Sequence, residues 1–495
     1  MTDTPLKLYN SLTRQVEEFR PIRDNEARVY TCGPTVYNYQ HIGNMRAFLF
    51  ADTLGRVLKW KGYKLRHIIN IPDVGHLTSD ADAGDDKMEK AARAEQKSIW
   101  DIAAHYTAVF KADIERLNIT QPAEWTVATD YVPQMIEFAK QIADKHCYEI
   151  DSGLYFDSTT VPDYGRLARA TTGDGESRID PVSGKRHPQD FAIWRKSPPG
   201  EQRQMEWDSP WGRGAPGWHL ECSVMSLEQL GHPFDIHTGG IDHREVHHPN
   251  EIAQNQAHCG CVDAEPGFTG AHIWMHNNFL VDRGGKMSKS AGAFLTLQVL
   301  VDRGIHPLSY RLMCLSAHYR SELEFTWENV VAAQTRLKRI VQALEHRRAQ
   351  SDEQSAELSR GQPVRWSDTA IGILQRFDEA VSNDLNSGAA LIVLDDVLNP
   401  SAKTVSISMA ERARLAEHFD AVLGLNLATL SRADLRVRPV SATIDADAIE
   451  ARLIERKEAR AAKDFARSDA IRDELSAAGV EVMDGDPLGW DWKLS

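Results

Sequence analysis

Between residues 27 and 71 the chain passes through a strand-like run, a tight turn, an amphipathic helix and a second strand-like run. That succession restricts the fold more than any other feature of the chain. Arg28-Val29-Tyr30-Thr31-Cys32-Gly33-Pro34 reads as a β-strand running into a turn. Met45 to Trp60 carries Phe48, Leu49, Asp52, Val57 and Leu58 at helical spacing, and Leu65 to Ile71 is a β-rich run ended by Pro72. A strand–helix–strand unit with phosphate-compatible residues at its first switch predicts a parallel, doubly wound α/β domain.

Two short segments give that domain a chemistry. His41-Ile42-Gly43-Asn44 stands at the start of the predicted helix, and Lys286-Met287-Ser288-Lys289-Ser290 lies far downstream, with Gly239-Gly240 between them. In this order they describe a nucleotide site that activates a carboxylate with ATP. A carboxylate attacking the α-phosphate needs no covalent enzyme intermediate, so the protein must position the reactants and absorb charge on the departing pyrophosphate. His41 beside Gly43 at a helix start can touch phosphate while adenine packs on bare backbone. Lys286 and Lys289, on a loop preceded by Gly284-Gly285, can neutralise the pyrophosphate.

At 495 residues the chain is long enough for several domains. It has no run of about 18 apolar residues and its first residues carry no basic, apolar leader, which points to the cytoplasm. Six cysteines make no disulfide framework and are expected to stay reduced. The net charge of −14 weighs mildly against a nucleic-acid partner, although local patches can override it. Asp101 to Leu117 and Val132 to His146 read as helices of an insertion, and residues 159 to 216 as a loop-dominated part of it. A helix at Cys222 to Leu230, a strand at Phe234 to Thr238 and a helix at His247 to His258 rejoin the sheet. Pro307 to Ser316, Trp327 to Arg348, Asp368 to Ser382 and Ala389 to Leu398 predict a helical bundle. Beyond it come a helix at Met409 to Phe419 and one long helix over Ile449 to Ala478, with Leu453, Phe465, Ile471 and Leu475 facing inward. A tail with Trp490 and Trp492 follows.

His247 and Glu251 stand four residues apart, on one helix face, as zinc sites on helices require. With Cys222 and Cys32 they make two thiolates, an imidazole and a carboxylate, a set that suits tetrahedral zinc. Spacing alone leaves other readings open. His258-Cys259-Gly260-Cys261 and His232, His237, His243, His248 and His272 offer further donors, and buried cysteines also serve as small hydrophobes.

Taken together the residues closely resemble the cysteinyl-tRNA synthetases, a class I aminoacyl-tRNA synthetase family. The resemblance runs from Cys32-Gly33-Pro34-Thr35-Val36-Tyr37 through the His41 motif, Asp190-Phe191-Ala192-Ile193-Trp194 and Pro216-Gly217-Trp218-His219-Leu220-Glu221-Cys222. It continues through His237, Gly239-Gly240, Asp242, His247-His248 and the lysine loop to Ala459-Arg460 and Lys463-Asp464. It implies a cysteine–tRNA ligase that forms cysteinyl-adenylate and passes cysteine to the terminal adenosine of tRNA(Cys). Cys32, Cys222, His247 and Glu251 would hold one zinc ion that takes the substrate thiolate, so that serine is rejected without an editing domain. Trp218 and His237 would line the cysteine pocket. His41, Gly43, Asn44, Gly239, Gly240, Asp242, Lys286 and Lys289 would bind ATP, accompanied by Mg2+, with Asp242 on the ribose. The family also implies a monomer, and a division into a catalytic domain over 1–304 (insertion about 112–216), a tRNA-stem-contacting bundle over 305–400 and an anticodon-binding unit over 401–495. Pro72 stands where the family usually has a substrate-contacting threonine, Asn44 where it has a second histidine, and Pro249 and Ala293 where Glu and Asn are common. The stretch Asp73 to Lys87 looks like an alternative subclass.

The basic residues of the bundle and last helix, among them Arg336, Arg348, Arg452, Arg460 and Arg467, are interleaved with acids, a pattern that is most often a solvated helix face, and their reading as tRNA contacts rests on where the family binds tRNA. Trp490 and Trp492 either stack on anticodon bases or seal a small terminal core. A paralogue that joins cysteine to an amino-sugar would share the activation half without residues 400 to 495, and a non-catalytic zinc and tRNA-binding module would not need the histidine and lysine motifs.

Overall fold

The computed structural model describes residues 4–74, 97–168, 182–198, 200, 203–262, 268–282, 285–286, 295–350, 366–399 and 407–494. A five-stranded parallel sheet lies at its centre, built from β1 (Glu26–Thr31), β2 (Lys64–Ile71), β3 (Glu124–Val127), β4 (Phe234–Gly240) and β5 (Ala271–Asn277). Their spatial order is β5-β4-β1-β2-β3. The order reverses between β1 and β4, and in such sheets a crevice opens beyond the carboxyl ends of the two strands that part there. β1 is buried from Ala27 onward and β2 from His67 onward, so neither shows the alternation of a half-exposed strand.

The helix after β1, α1 (Ile42–Trp60), begins three residues before the expected Met45, because His41 caps it. Its Phe50, Leu54, Val57 and Leu58 pack in one core with Val29 and Ile236, and Met45, Phe48 and Leu49 in another with Ile69 and Ile71. Asp52 of α1 is fully buried and accepts from Arg56 at 2.7 Å and from Arg311 at 2.6 Å. Arg311 also donates to the carbonyls of Leu423 and Leu117, so one guanidinium ties the sheet domain to the bundle.

Helix Ile99–Arg116 is the crossover between β2 and β3 and packs on Ile69 and Ile71, which corrects the expectation that it belongs to the insertion. The insertion, after β3, carries helix Val132–His146 and a four-stranded antiparallel sheet. Two strands of that sheet, Phe191–Lys196 and Gly214–Pro216, correct the expectation of loop over 159 to 216. The first is apolar on both faces and so lacks an alternation to reveal it, and its Trp194 is completely buried and donates to the Gly212 carbonyl. Two further helices flank the site, α2 (Trp218–Leu230) and α3 (His247–Cys259). Cys259 and Cys261 at the end of α3 bring their sulfurs together, the left-handed Gly260 between them turning the chain.

Helices Pro307–Leu315, Trp327–Gln350, Asp368–Ser382, Ser387–Leu398 and Met409–Leu423 form the bundle, with Phe377 stacked on Phe419 at 4.0 Å. The last of these shares the bundle's core, so the terminal unit begins after it rather than at 401. That unit holds two helices, Ala446–Ala461 and Phe465–Ala477, not one. Lys463 breaks the run with φ 61°, and Asp464 caps the second helix. Phe465 is consequently 62% exposed instead of inward, while Ile471 and Leu475 are buried as expected. Trp490 and Trp492 form a strand paired with Val480–Val482 and are 1% and 5% exposed, so they seal the small core. Among the described residues no helix is long and apolar enough to cross a membrane.

Candidate active site

A cavity of about 250 Å3 opens at the β1/β4 switch point. Its wall is built from the turn after β1, the first turn of α1, the ends of β2 and β4, and the facing sides of α2 and α3. Cys32, His41, Gly43 and Asn44 line it on one side, and Trp218, Cys222 and His247 on another. Gly239, Gly240 and Asp242 close the end of β4. Pro72 is also part of the wall.

On the α1 side, His41 Nδ1 accepts the Gly43 backbone N–H at 3.0 Å. A neutral ring held this way carries its proton on Nε2, where it can donate to a phosphate oxygen. The Asn44 amide is held by Gln40, whose own amide donates to the Thr35 carbonyl. At the end of β4, a Cβ on Gly239 would lie 2.7 Å from the rings of His243 and His248, so only glycine lets the strand pass there. Lys286 lies in a short strand, Gly285–Lys286, whose backbone pairs with Val281. Lys289 and Ala293 lie outside the described residues, as does the stretch 75–96 that holds most of Asp73 to Lys87.

Where these two sides meet, Cys32, Cys222, His247 and Glu251 converge, all buried, with one donor atom each within 4.8 Å of the others. The two sulfurs are 3.9 Å apart. A tetrahedron with Zn–S bonds of about 2.3 Å has an S···S edge of about 3.8 Å. His247 Nε2 and Glu251 Oε1 lie 3.0 Å apart as a buried ion pair, and neither atom has a well-formed hydrogen bond. Two such atoms converging on the same point as two thiols are what a cation would satisfy, so the residues fit a metal ion. Glu251 is ionised there: burial opposes this, but His237 and His247 hold the carboxyl at about 2. Burial likewise disfavours charge on His247, and Glu251 with Cys32 outweighs it and raises the ring to about 10.

His237 is not among the residues lining the cavity. Its Nε2 bonds Glu251 Oε2 at 2.8 Å, and its ring stacks on Trp274, so it holds a donor rather than facing the open space. Trp218 does face it, stacked on His247 with centroids 4.2 Å apart. A second donor group, Cys32, His237, His248 and Glu251, shares two members with the first. The set with Cys222 and His247 has three of its four members on the cavity wall, and the other set has one, Cys32.

The sequence did not single out the layer behind these donors. His219 Nδ1 pairs with His247 Nδ1 at 2.8 Å. His248 Nε2 lies 3.5 Å from Cys32 Sγ, and its Nδ1 leads through His276 to the Ser11 hydroxyl, each step 2.8 Å. Burial pushes both His248 and His276 well down, so these rings are neutral. The doubled His247-His248 was the one available signal. His276 and Ser11 reach the site only through the fold.

A family model described as the tRNA synthetases class I (C) catalytic domain matches residues 18–335. The chain is 64% identical over 493 residues to a cysteine–tRNA ligase of Novosphingobium aromaticivorans, covering 99% of this chain and 97% of that one. It is 52% identical over 515 residues to a cysteine–tRNA ligase of Zymomonas mobilis, covering 99% and 98%. A solved structure of Mycobacterium tuberculosis methionyl-tRNA synthetase bound by methionyl-adenylate has a similar fold, with TM-score 0.51 and 14% identity, over 81% of this chain and 90% of that chain.

Proposed function

The chain belongs to the cysteine branch of the class I tRNA synthetases, and we infer from that membership that it ligates cysteine to tRNA(Cys) in two steps. The carboxylate of cysteine attacks the α-phosphate of ATP in line and displaces pyrophosphate. The ribose of the terminal adenosine of the tRNA then takes the cysteinyl group and releases AMP. The observation that carries this reading is the single cavity in which a four-donor soft-metal set faces a phosphate-binding helix start. The two ends are suited to the two ends of the reacting pair.

In this reading His41 donates from Nε2 to ATP phosphate while the α1 N-terminus adds its partial positive charge. Gly43 and Gly239 let adenosine approach the backbone, Asn44 is held in place for it by Gln40, and Asp242 receives the ribose. Lys286 and Lys289 neutralise the pyrophosphate, with Mg2+ accompanying ATP. Cys32, Cys222, His247 and Glu251 would hold zinc, which supplies a soft Lewis acid for the cysteine thiolate and a poor one for a serine hydroxyl. Trp218 forms the apolar wall beside those donors. His237 acts through Glu251 by keeping its carboxylate oriented. We assign the enzyme to the cytoplasm, where its tRNA and ATP are, and to a monomeric state. Cysteine-dependent ATP–pyrophosphate exchange tests the first step: stimulation by cysteine and not by serine is expected, and no stimulation would refute it.

For the tRNA, we assign stem contact to the bundle and anticodon contact to the terminal unit. With both tryptophans sealed inside, Phe465 offers the aromatic face there, beside Lys463 and Asp464 at the helix break. Base–aromatic stacking is worth about 1–3 kcal/mol per base, so Phe465→Ala is expected to raise the KM for tRNA roughly 5- to 100-fold. Pyrophosphate exchange should stay at the wild-type rate, and an unchanged KM for tRNA would remove Phe465 from the interface. Many of the basic residues suspected of tRNA contact are engaged internally: Arg456 and Arg460 with Asp484, and Arg452 and Arg467 with Glu455.

A further inference from the structure

We propose that Asn70, at the carboxyl end of β2, is a positioning residue that tunes the metal centre for a thiolate substrate. The inference rests on the reading of that centre as the cysteine-selecting site. Asn70 is 1% exposed, and its side-chain amide is used at both ends. Oδ1 accepts the Gly33 backbone N–H at 2.6 Å, directly after Cys32, and Nδ2 donates to Cys222 Sγ at 3.7 Å. One side chain thus bonds the two segments that bring the two sulfurs, which come from opposite sides of the cavity. The approach is close: a Cβ on Gly33 would fall 1.6 Å from the Asn70 carbonyl oxygen, so residue 33 must be glycine for the turn to rest on β2.

The charge balance gives this contact its role. Two thiolates and a carboxylate outweigh a divalent cation by one unit, and such a centre resists a further anionic ligand. An N–H donor on a ligating sulfur withdraws charge from it and restores the metal's affinity for the incoming thiolate. Each of the other three donors has an imidazole beside it: His248 on Cys32, His219 on His247 and His237 on Glu251. Asn70 is an uncharged amide that stays a donor at every pH at which the protein is folded. A serine hydroxyl brings no charge, so the contact favours cysteine over serine.

The test uses the full-length protein with Asn70→Asp and Asn70→Ala, loaded with zinc or with cobalt as the spectroscopic probe. Asp is isosteric and can still accept from Gly33, but it cannot donate to sulfur; Ala loses both contacts. Each variant is expected to retain one metal per chain and to move the sulfur-to-cobalt charge-transfer band to longer wavelength. The KM for cysteine in pyrophosphate exchange should rise about 10- to 100-fold, with the KM for ATP and kcat within about threefold of wild type. A band that stays in place in both variants, or a shift in Asn70→Ala alone, would overturn the inference and leave Asn70 as a clamp on the turn. A wild-type protein with no sulfur-to-cobalt band would instead refute the metal-site reading on which the inference rests.

Discussion

Cys222→Ser is expected to yield a folded protein that has lost its zinc and its preference for cysteine together. Cys222 is 2% exposed and its sulfur is one of two that define the S···S edge of the donor set. A hydroxyl in its place is a harder and far less acidic donor, and the remaining three residues cannot close a tetrahedron. Bound metal should fall below about a tenth of the wild-type content, and kcat/KM for cysteine by a factor on the order of 10^3 or more. Discrimination against serine, on the order of 10^4 when a site is built around a bond the competitor cannot make, should shrink to a few-fold. Metal analysis of the purified variant decides the assignment: wild-type zinc content would show that Cys222 is not a ligand. Because α2 is anchored independently by the Ser223–Gln254 bond and by Leu220, Val224 and Met225 in the core, loss of the metal should not unfold it.

The second large effect concerns the joint between the sheet domain and the bundle. Asp52 and Arg311 are both fully buried, and Arg311 additionally satisfies carbonyls of Leu117, Asn118 and Leu423. Arg311→Met removes that cation and leaves a buried carboxylate held by Arg56 and the Thr120 backbone N–H. Breaking a buried pair from one side costs about 3–5 kcal/mol, which corresponds to a thermal midpoint lower by roughly 5–10 °C. The pH dependence has a definite sign. Burial pushes the Asp52 carboxyl up, but Arg311 and then Arg56 outweigh it and hold it at about 2. An unfolded aspartate titrates near 3.9, so the pairing contributes about 2–3 kcal/mol that is fully present above pH ~4. That contribution is lost as the pH falls towards 2. The stability gap between wild type and Asp52→Asn should narrow over the same interval, and a gap independent of pH from 5 to 2 would show that Asp52 is not ionised in the fold.

The parts of this molecule that were legible in the sequence are those where residue type and chemistry coincide. β1, α1 and β2 follow from periodicity, and Val132–His146 and Asp368–Ser382 lie where the pattern puts them. Residue type and spacing left more histidine and cysteine donors than they could rank; the family resemblance singled out Cys32, Cys222, His247 and Glu251, and the fold gathers one donor atom of each within 4.8 Å of the others. What stayed hidden has physical reasons. The Phe191–Lys196 strand is buried on both faces and sits between Gly- and Pro-rich flanks, so composition masks it. The terminal helix breaks at a lysine rather than at glycine or proline, and residues of that type adopt positive φ too rarely to be suspected. Phe465 reads as core by spacing, and its turn outward follows from that break. Asn70, His276 and Ser11 have no motif of their own. They matter because the parallel sheet delivers strand ends from distant parts of the chain to one crevice.

Charging of total cellular tRNA with labelled cysteine, in the presence of ATP and Mg2+, tests the central claim most directly. The expected result is label in acid-precipitable, base-labile tRNA that is lost in Cys222→Ser and is not competed by serine. Cysteine-dependent pyrophosphate exchange with no label on tRNA would contradict the account: the activation chemistry would stand, and the acceptor would be another molecule.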